Sequence, residues 1–107
     1  MKKYDVIVLG FGKAGKTLAA KLATQGKSVA MVEEDDKMYG GTCINIGCIP
    51  TKTLLVSASK NHDFQEAMTT RNEVTSRLRA KNFAMLDNKD TVDGYNAKAR
   101  FISNKVV

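Results

Sequence analysis

The 107-residue sequence has one histidine, two cysteines and no apolar run that approaches the length of a membrane span. A transmembrane helix needs about 20 consecutive apolar residues, and nothing here comes near that. The basic start Met1-Lys2-Lys3 is followed only by the short apolar run Val6-Ile7-Val8-Leu9 before Gly10 interrupts it. A secretory signal needs an apolar centre of roughly 7–15 residues, so a cytoplasmic location is the expectation. Aromatic residues make up 7% of the chain and do not alternate with basic ones, as a stacking platform for nucleic acid requires. Lys and Arg outnumber Asp and Glu by 17 to 11, a formal charge of +6. The excess is spread evenly, with 8 basic and 5 acidic residues in 1–53 against 9 and 6 in 54–107. That distribution describes a solvated surface, so neither a nucleic-acid nor a membrane partner is expected.

What is present points to a globular α/β chain, with 43% hydrophobic and 26% charged residues. Tyr4-Asp5-Val6-Ile7-Val8-Leu9 reads as a buried strand that stops at Gly10. A helical pattern follows from Ala14 to Gln25, with Leu18, Ala19, Leu22 and Ala23 on one face and Gly26 placed to end it. Ser28 to Val32 is a second apolar strand, which runs into Glu33-Glu34-Asp35-Asp36. This β-α-β unit favours a parallel sheet with a right-handed crossover. After the glycine turn Gly40-Gly41, a helix is expected from Thr51 to about Lys60 with Leu54, Leu55 and Ala58 on one side. Another is expected from Phe64 to about Met85. Asp63 is its N-cap, Glu66 completes a capping box, and Phe64, Ala67, Met68, Val74 and Leu78 form its apolar stripe. Thr91 to Val107 alternates weakly through Ala97, Ala99 and Phe101 and reads as short strands with a turn at Ser103-Asn104.

The glycine loop fits two motifs. Gly10-Phe11-Gly12-Lys13-Ala14-Gly15 is G-x-G-x-x-G between a strand and a helix, the dinucleotide-binding pattern. Gly10 then permits the tight turn, Gly12 lets the backbone approach a pyrophosphate, and Gly15 lets helix and strand pack closely. Glu33, at the tip of the second strand, is the acidic residue that would bind a ribose. The same stretch through Lys16-Thr17 also fits the phosphate loop of nucleoside-triphosphate hydrolases, with Lys16 on the phosphates and Thr17 on magnesium. The dinucleotide reading uses Gly12 and Glu33, which the triphosphate reading leaves idle.

Cys43 and Cys48 stand close together in a chain with no export signal, where a pair is redox-active or metal-binding before it is a structural staple. A zinc site needs two further ligands, and only His62 is on offer, so no metal is expected. A dithiol that cycles with a disulfide suits the spacing, because Gly47 eases closure of a distorted turn. A helix start near Thr42 would supply a field that lowers a thiol pKa. A small redox-sensing module that uses the dithiol without a flavin is the competing reading of the pair.

The run Gly40-Gly41-Thr42-Cys43-Ile44-Asn45-Ile46-Gly47-Cys48-Ile49-Pro50-Thr51-Lys52 resembles the redox motif of the flavin-dependent pyridine nucleotide-disulfide oxidoreductases. That family includes dihydrolipoyl dehydrogenase, glutathione reductase and mercuric reductase, and the resemblance covers residues 4–60 best. Residues Gly10 to Thr17, with Met38-Tyr39, are most similar to a bacterial branch induced by reactive chlorine species. Its members are described as hypothiocyanous acid reductases, and copper(II) reduction has also been attributed to them. The resemblance implies a Rossmann-like FAD-binding domain with a parallel sheet, in which NAD(P)H reduces FAD and the flavin opens a Cys43–Cys48 disulfide. It implies that Cys48 lies against the flavin as the charge-transfer thiolate and that Cys43 is the interchange thiol. Gly10, Gly12, Ala14, Gly15, Glu33, Gly41, Thr42 and Lys52 would contact the cofactor, Lys52 beside the flavin ring. The acceptor would be a small oxidant or disulfide, and the whole enzyme a homodimer.

Some residues are expected to do less. Lys13 and Lys16 read as solvated lysines, Asn45 as a local structural residue, and His62 as a surface residue that does not match the family's acid-base histidine. The abrupt end at Lys105-Val106-Val107 suggests that residues 1–107 are the N-terminal part of an FAD/NAD(P)-binding domain, inactive alone. A complete domain has about six strands, and about four are expected here.

Overall fold

A computed structural model describes all 107 residues, Met1–Val107. Strand β1 (Val6–Leu9) leads through helix α1 (Lys13–Thr24) to β2 (Val29–Glu33). A 3-10 turn over Asp36–Met38 precedes the short helix α2 (Thr42–Asn45). Helices α3 (Cys48–Ser59) and α4 (Phe64–Asp87) follow, and β3 (Val92–Asn96) closes the sheet. The sheet is parallel throughout, in the order β1-β2-β3. It therefore has three strands where about four were expected. Ala97, Ala99 and Phe101 lie outside β3 in irregular chain, and the final turn is a small Ser103–Val106 bridge. None of the helices is long and apolar enough to cross a membrane.

Register explains which side of the sheet is filled. Val8 pairs with Met31 and Met31 with Gly94, while Val6 pairs with Val29 and Val29 with Val92. These rows share a face, since side chains alternate along a strand. Against that face pack α1 and α4, giving a core of Phe11, Ala19, Val29, Met31, Leu86 and Val92. Gly15 makes the closest approach possible: a Cβ there would stand 2.7 Å from the Gly10 carbonyl oxygen and 2.9 Å from Val8 Cγ1.

The helix ends differ in a telling way. Helix α4 has the full capping box, with Asp63 accepting from the Glu66 N–H at 2.8 Å and Glu66 accepting from the Asp63 N–H at 3.1 Å. Helices α1 and α3 begin at Gly12 and Gly47, with no side-chain cap and no acidic residue in the first turn. Two of the expected helix faces are corrected. On α3 the buried residues are Pro50 and Ser57, whereas Leu55 is 66% exposed and Ala58 is exposed. On α4, Phe64 is 77% exposed, and the buried stripe is Ala67, Thr75, Asn82 and Leu86.

Candidate redox site

The segment after β2 folds back onto the glycine loop. Gly40 donates its N–H to the Phe11 carbonyl at 2.9 Å, and Gly41 donates to the Met38 carbonyl at 2.8 Å. Gly41 has φ +87°, and a Cβ on it would come within 2.9 Å of Gly12 Cα and 3.4 Å of the Lys13 nitrogen. Only glycine satisfies both the left-handed backbone and the contact. The redox segment is thus seated directly on the N-terminus of α1.

From Gly41 the chain makes the single turn of α2, then breaks at Gly47 and restarts as α3. Cys43 lies in the turn and Cys48 is the first residue of α3, so the pair spans a helix break instead of sharing one distorted turn. Both are free thiols, Cys43 half-buried and Cys48 exposed, and the two lie close enough to influence one another. The neighbouring Cys48 thiol, with some burial, pushes the Cys43 thiol up from its ordinary value, against the pull of nearby Lys13. The expected lowering of this thiol by a helix starting at Thr42 is therefore corrected. A four-residue helix has almost no dipole, and the neighbouring sulfur outweighs it.

Asn45 holds the turn in place. Its Nδ2 donates to the Tyr39 carbonyl at 3.0 Å and the Gly41 carbonyl at 2.8 Å, while its Oδ1 accepts from Arg79 Nε of α4 at 2.8 Å. The rings of Phe11, Tyr39 and Phe83 add an aromatic run between the glycine loop and α4, with centroids 5.2 and 4.8 Å apart. Asn45 has the local role expected of it, but Arg79 and Asn82 carried no signal in the sequence, and Tyr39 entered only through the resemblance. Their part depends on α4 returning over the loop from more than thirty residues away, as the Arg79–Asn45 separation of 34 illustrates.

The residues expected to meet a cofactor fall along one rim. Gly10 turns with φ +98°, and Gly12 has open space where a Cβ would stand. Ala14 is exposed in the uncapped first turn of α1. Unpaired N–H groups at such a helix start suit a phosphate. Glu33, at the carboxyl end of β2, accepts from the Phe11 N–H at 2.9 Å and the Asp35 N–H at 3.1 Å, which fixes its carboxylate beside the loop. A crevice of about 270 Å³ opens there, lined by Leu9, Gly10, Val32, Glu33 and Ala97 among others. Gly41 and Thr42 lie between this rim and the cysteines. Lys52 is exposed on α3, one turn beyond Cys48 and on the same face. The donor set fits a dinucleotide: bare N–H groups for its phosphates and a fixed carboxylate for a ribose.

The triphosphate reading of the loop fails on geometry. Lys16 turns away from the loop mouth to hydrogen-bond Asn82 of α4, and the Thr17 hydroxyl donates back to the Lys13 carbonyl at 2.6 Å. Neither is free for phosphate or magnesium. Lys16 is also half-buried, so the expectation of a solvated lysine is corrected, while Lys13 is exposed as expected. His62 is exposed.

A parallel β-α-β fold with a bare helix start over a crevice, and a dithiol docked on that start, defines the class: a dinucleotide-binding redox domain. Residues 4–107 match the pyridine nucleotide-disulphide oxidoreductase family, and the chain belongs to it. It is 52% identical over 104 residues to the probable pyridine nucleotide-disulfide oxidoreductase RclA of Escherichia coli, covering 97% of this chain and 24% of that protein. It is 46% identical over 61 residues to the dihydrolipoyl dehydrogenase of Corynebacterium glutamicum, covering 57% of this chain and 13% of that one. Among solved structures, the Cu(II) complex of the HOCl-induced flavoprotein disulfide reductase RclA from Escherichia coli matches with a TM-score of 0.94 at 52% identity. That match covers 97% of this chain and 24% of the other. The chain thus spans about a quarter of the length of RclA. The family uses FAD and NAD(P)H.

Proposed function

We propose that this chain is the opening part of the FAD-binding domain of an NAD(P)H-dependent flavoprotein disulfide reductase, with Cys43 and Cys48 as its redox pair. One observation carries the reading: two free, neighbouring thiols follow directly on a loop that rests on the dinucleotide-type glycine turn. Gly10, Gly12, Ala14 and Gly15 would hold the FAD pyrophosphate and Glu33 its ribose, with Gly41, Thr42 and Lys52 along the path to the cysteines. When bound and reduced by NAD(P)H, FAD supplies the electron pair that converts the Cys43–Cys48 disulfide to a dithiol. The thiolate of Cys43 then attacks the acceptor. With a disulfide acceptor it forms a mixed disulfide and expels the first thiolate. Cys48 next attacks the Cys43 sulfur, expels the second thiolate and restores the internal disulfide. Cys43 is the attacking thiol in this reading by its position in the family's redox motif, and Cys48, the first residue of α3, is the thiol held against the flavin.

The acceptor is proposed to be a small oxidant or disulfide, hypothiocyanous acid first among them. The stronger match, spanning nearly the whole chain, is to RclA, a flavoprotein disulfide reductase described as HOCl-induced, which favours a small-oxidant acceptor over lipoamide. The enzyme is further proposed to be a cytoplasmic homodimer, to be checked by sedimentation and cell fractionation. For the whole protein, a visible flavin band bleached by NAD(P)H is expected. Cys43→Ser should keep the flavin and lose turnover with hypothiocyanous acid, a disulfide and copper(II) alike. Undiminished turnover would remove Cys43 from the exchange role, and a colourless protein would remove the whole reading.

A further inference from the structure

Arg79 is a charged side chain beside the redox turn that the chemistry above leaves unused. It is half-buried on α4, and its Nε donates to Oδ1 of Asn45 at 2.8 Å. No carboxylate competes for it, since the one ion pair of the chain is Lys2–Asp93. The guanidinium is thus committed to an amide oxygen of the turn, and a charge-assisted hydrogen bond is roughly twice as strong as a neutral one.

Asn45 is the last residue of α2, the single turn that carries Cys43. Its Nδ2 is committed to the Tyr39 and Gly41 carbonyls, so one amide joins the glycine seat to α4. Cys48 belongs to α3, beyond the break at Gly47, and α3 lies against α4. Helix α4 is therefore a common frame for the two thiols. It holds the Cys48 helix by packing. It holds the Cys43 turn through Arg79–Asn45, the one side-chain hydrogen bond between α2 and α4. How firmly two thiols are held together decides how readily they close, because a fixed pair has a high effective concentration.

We propose that Arg79, acting through Asn45, is a positioning residue that registers Cys43 against Cys48 and so favours their disulfide over the dithiol. The inference rests on the reading of Cys43 and Cys48 as the redox pair. Without the bond, the dithiol turn samples positions away from Cys48, and closing the disulfide then costs more ordering entropy. Closure recurs in every turnover, because Cys48 must reach the Cys43 sulfur to expel the second thiolate.

The test equilibrates the whole, flavin-bound protein with dithiothreitol at graded ratios of its dithiol and cyclic disulfide. Dithiothreitol gives two electrons and two protons to the Cys43–Cys48 disulfide and closes to its own ring, and the reverse reaction restores the protein disulfide. Acid quenching, alkylation under denaturing conditions and mass spectrometry of the peptide that holds both cysteines read the dithiol fraction. Arg79→Met places a methyl where Nε stands and should raise the dithiol-to-disulfide ratio by about three- to tenfold, the worth of one hydrogen bond. Arg79→Gln keeps a neutral N–H at the position of Nε and should fall between wild type and Arg79→Met. Asn45→Ala cuts the link from the other side, should shift the ratio in the same direction, and carries the test alone if Arg79→Met does not fold. An unchanged ratio in these variants, even with a lower melting temperature, overturns the inference and leaves the redox pair standing. Equal shifts in Arg79→Met and Arg79→Gln also overturn it, since the charge and not the bond would then be at work. A wild-type protein whose Cys43 and Cys48 never interconvert removes both readings together.

Discussion

Gly12 and Gly15 stand three positions apart and answer different demands. At Gly15 an added methyl collides with the Gly10 carbonyl and Val8, so Gly15→Ala should destabilise the fold by about 1–3 kcal/mol as α1 is pushed off β1. At Gly12 the space is empty and the backbone is extended, so Gly12→Ala should change stability by no more than about 0.5 kcal/mol. Its cost should appear in flavin retention, because the methyl occupies the approach to the α1 N-terminus. Denaturant melts and flavin content of the whole protein separate the two. Equal stability losses would show that the glycine loop is purely a packing device.

A pH effect belongs to the same scale. Asp5 accepts from the Ser28 N–H at 2.8 Å and from its hydroxyl at 3.1 Å, which holds the Asp5 carboxyl below the usual carboxylate range. A carboxyl depressed on folding contributes stability above its unfolded pKa of about 4 and loses it as the pH falls through the folded value. Asp5→Asn should therefore be less stable than wild type near neutral pH, and the gap should close in acid. A gap that is constant with pH would mean that the clamp does not depend on the charge. The Lys16 environment, by contrast, was invisible in the sequence. A lysine in a G-x-G-x-x-G-K run reads as solvated until a distant Asn82 is known to lie beside it.

At the scale of elements, local signals were legible and long-range ones were not. The β-α-β unit and the Asp63–Glu66 box depend on residues a few positions apart, and both form where expected, although β1, read as a buried strand from Tyr4, starts at Val6 and has no fully buried residue. The packing faces of α3 and α4 depend on each other. Their buried positions include Ser57, Thr75 and Asn82, polar or small residues that allow the helices to approach but give no apolar period. One leucine and one phenylalanine that suggested a stripe, Leu55 and Phe64, point outward. Helix α2, four residues long, cannot persist alone because nucleation is unfavourable. Asn45 and Arg79 tether it to α4. Asn45→Ala should speed hydrogen exchange at residues 45–47 by about tenfold or more. Asp63→Ala should lower stability by about 1 kcal/mol without changing exchange there. Equal exchange in both variants would mean that the turn is held by the glycine contacts alone.

Across the whole molecule, one side of the sheet is filled and the other is only partly covered: Ala30 is buried there, but its neighbours on β1 are not. Ile7 pairs with Ala30 and Leu9 with Val32, and Val32 pairs in turn with Tyr95. This row faces away from α1 and α4, leaving Ile7 38% and Leu9 44% exposed. The irregular chain after β3 leaves a cavity of about 420 Å³ over it, lined by Ile7, Val32, Tyr95, Ala97 and Ile102 among others. Strand β1 also has an unpaired edge, since β2 is its only neighbour. Parallel sheets are normally covered on both faces, and an open apolar face with a free edge invites association. The 107 residues expressed alone should therefore bind a hydrophobic dye strongly and self-associate with rising concentration. Ile7→Thr should reduce both while leaving the Val8 face and its core intact. Weak dye binding by a monomer with native-like near-ultraviolet circular dichroism would show instead that residues 97–107 close over the sheet in solution. The stability of the chain would then be its own.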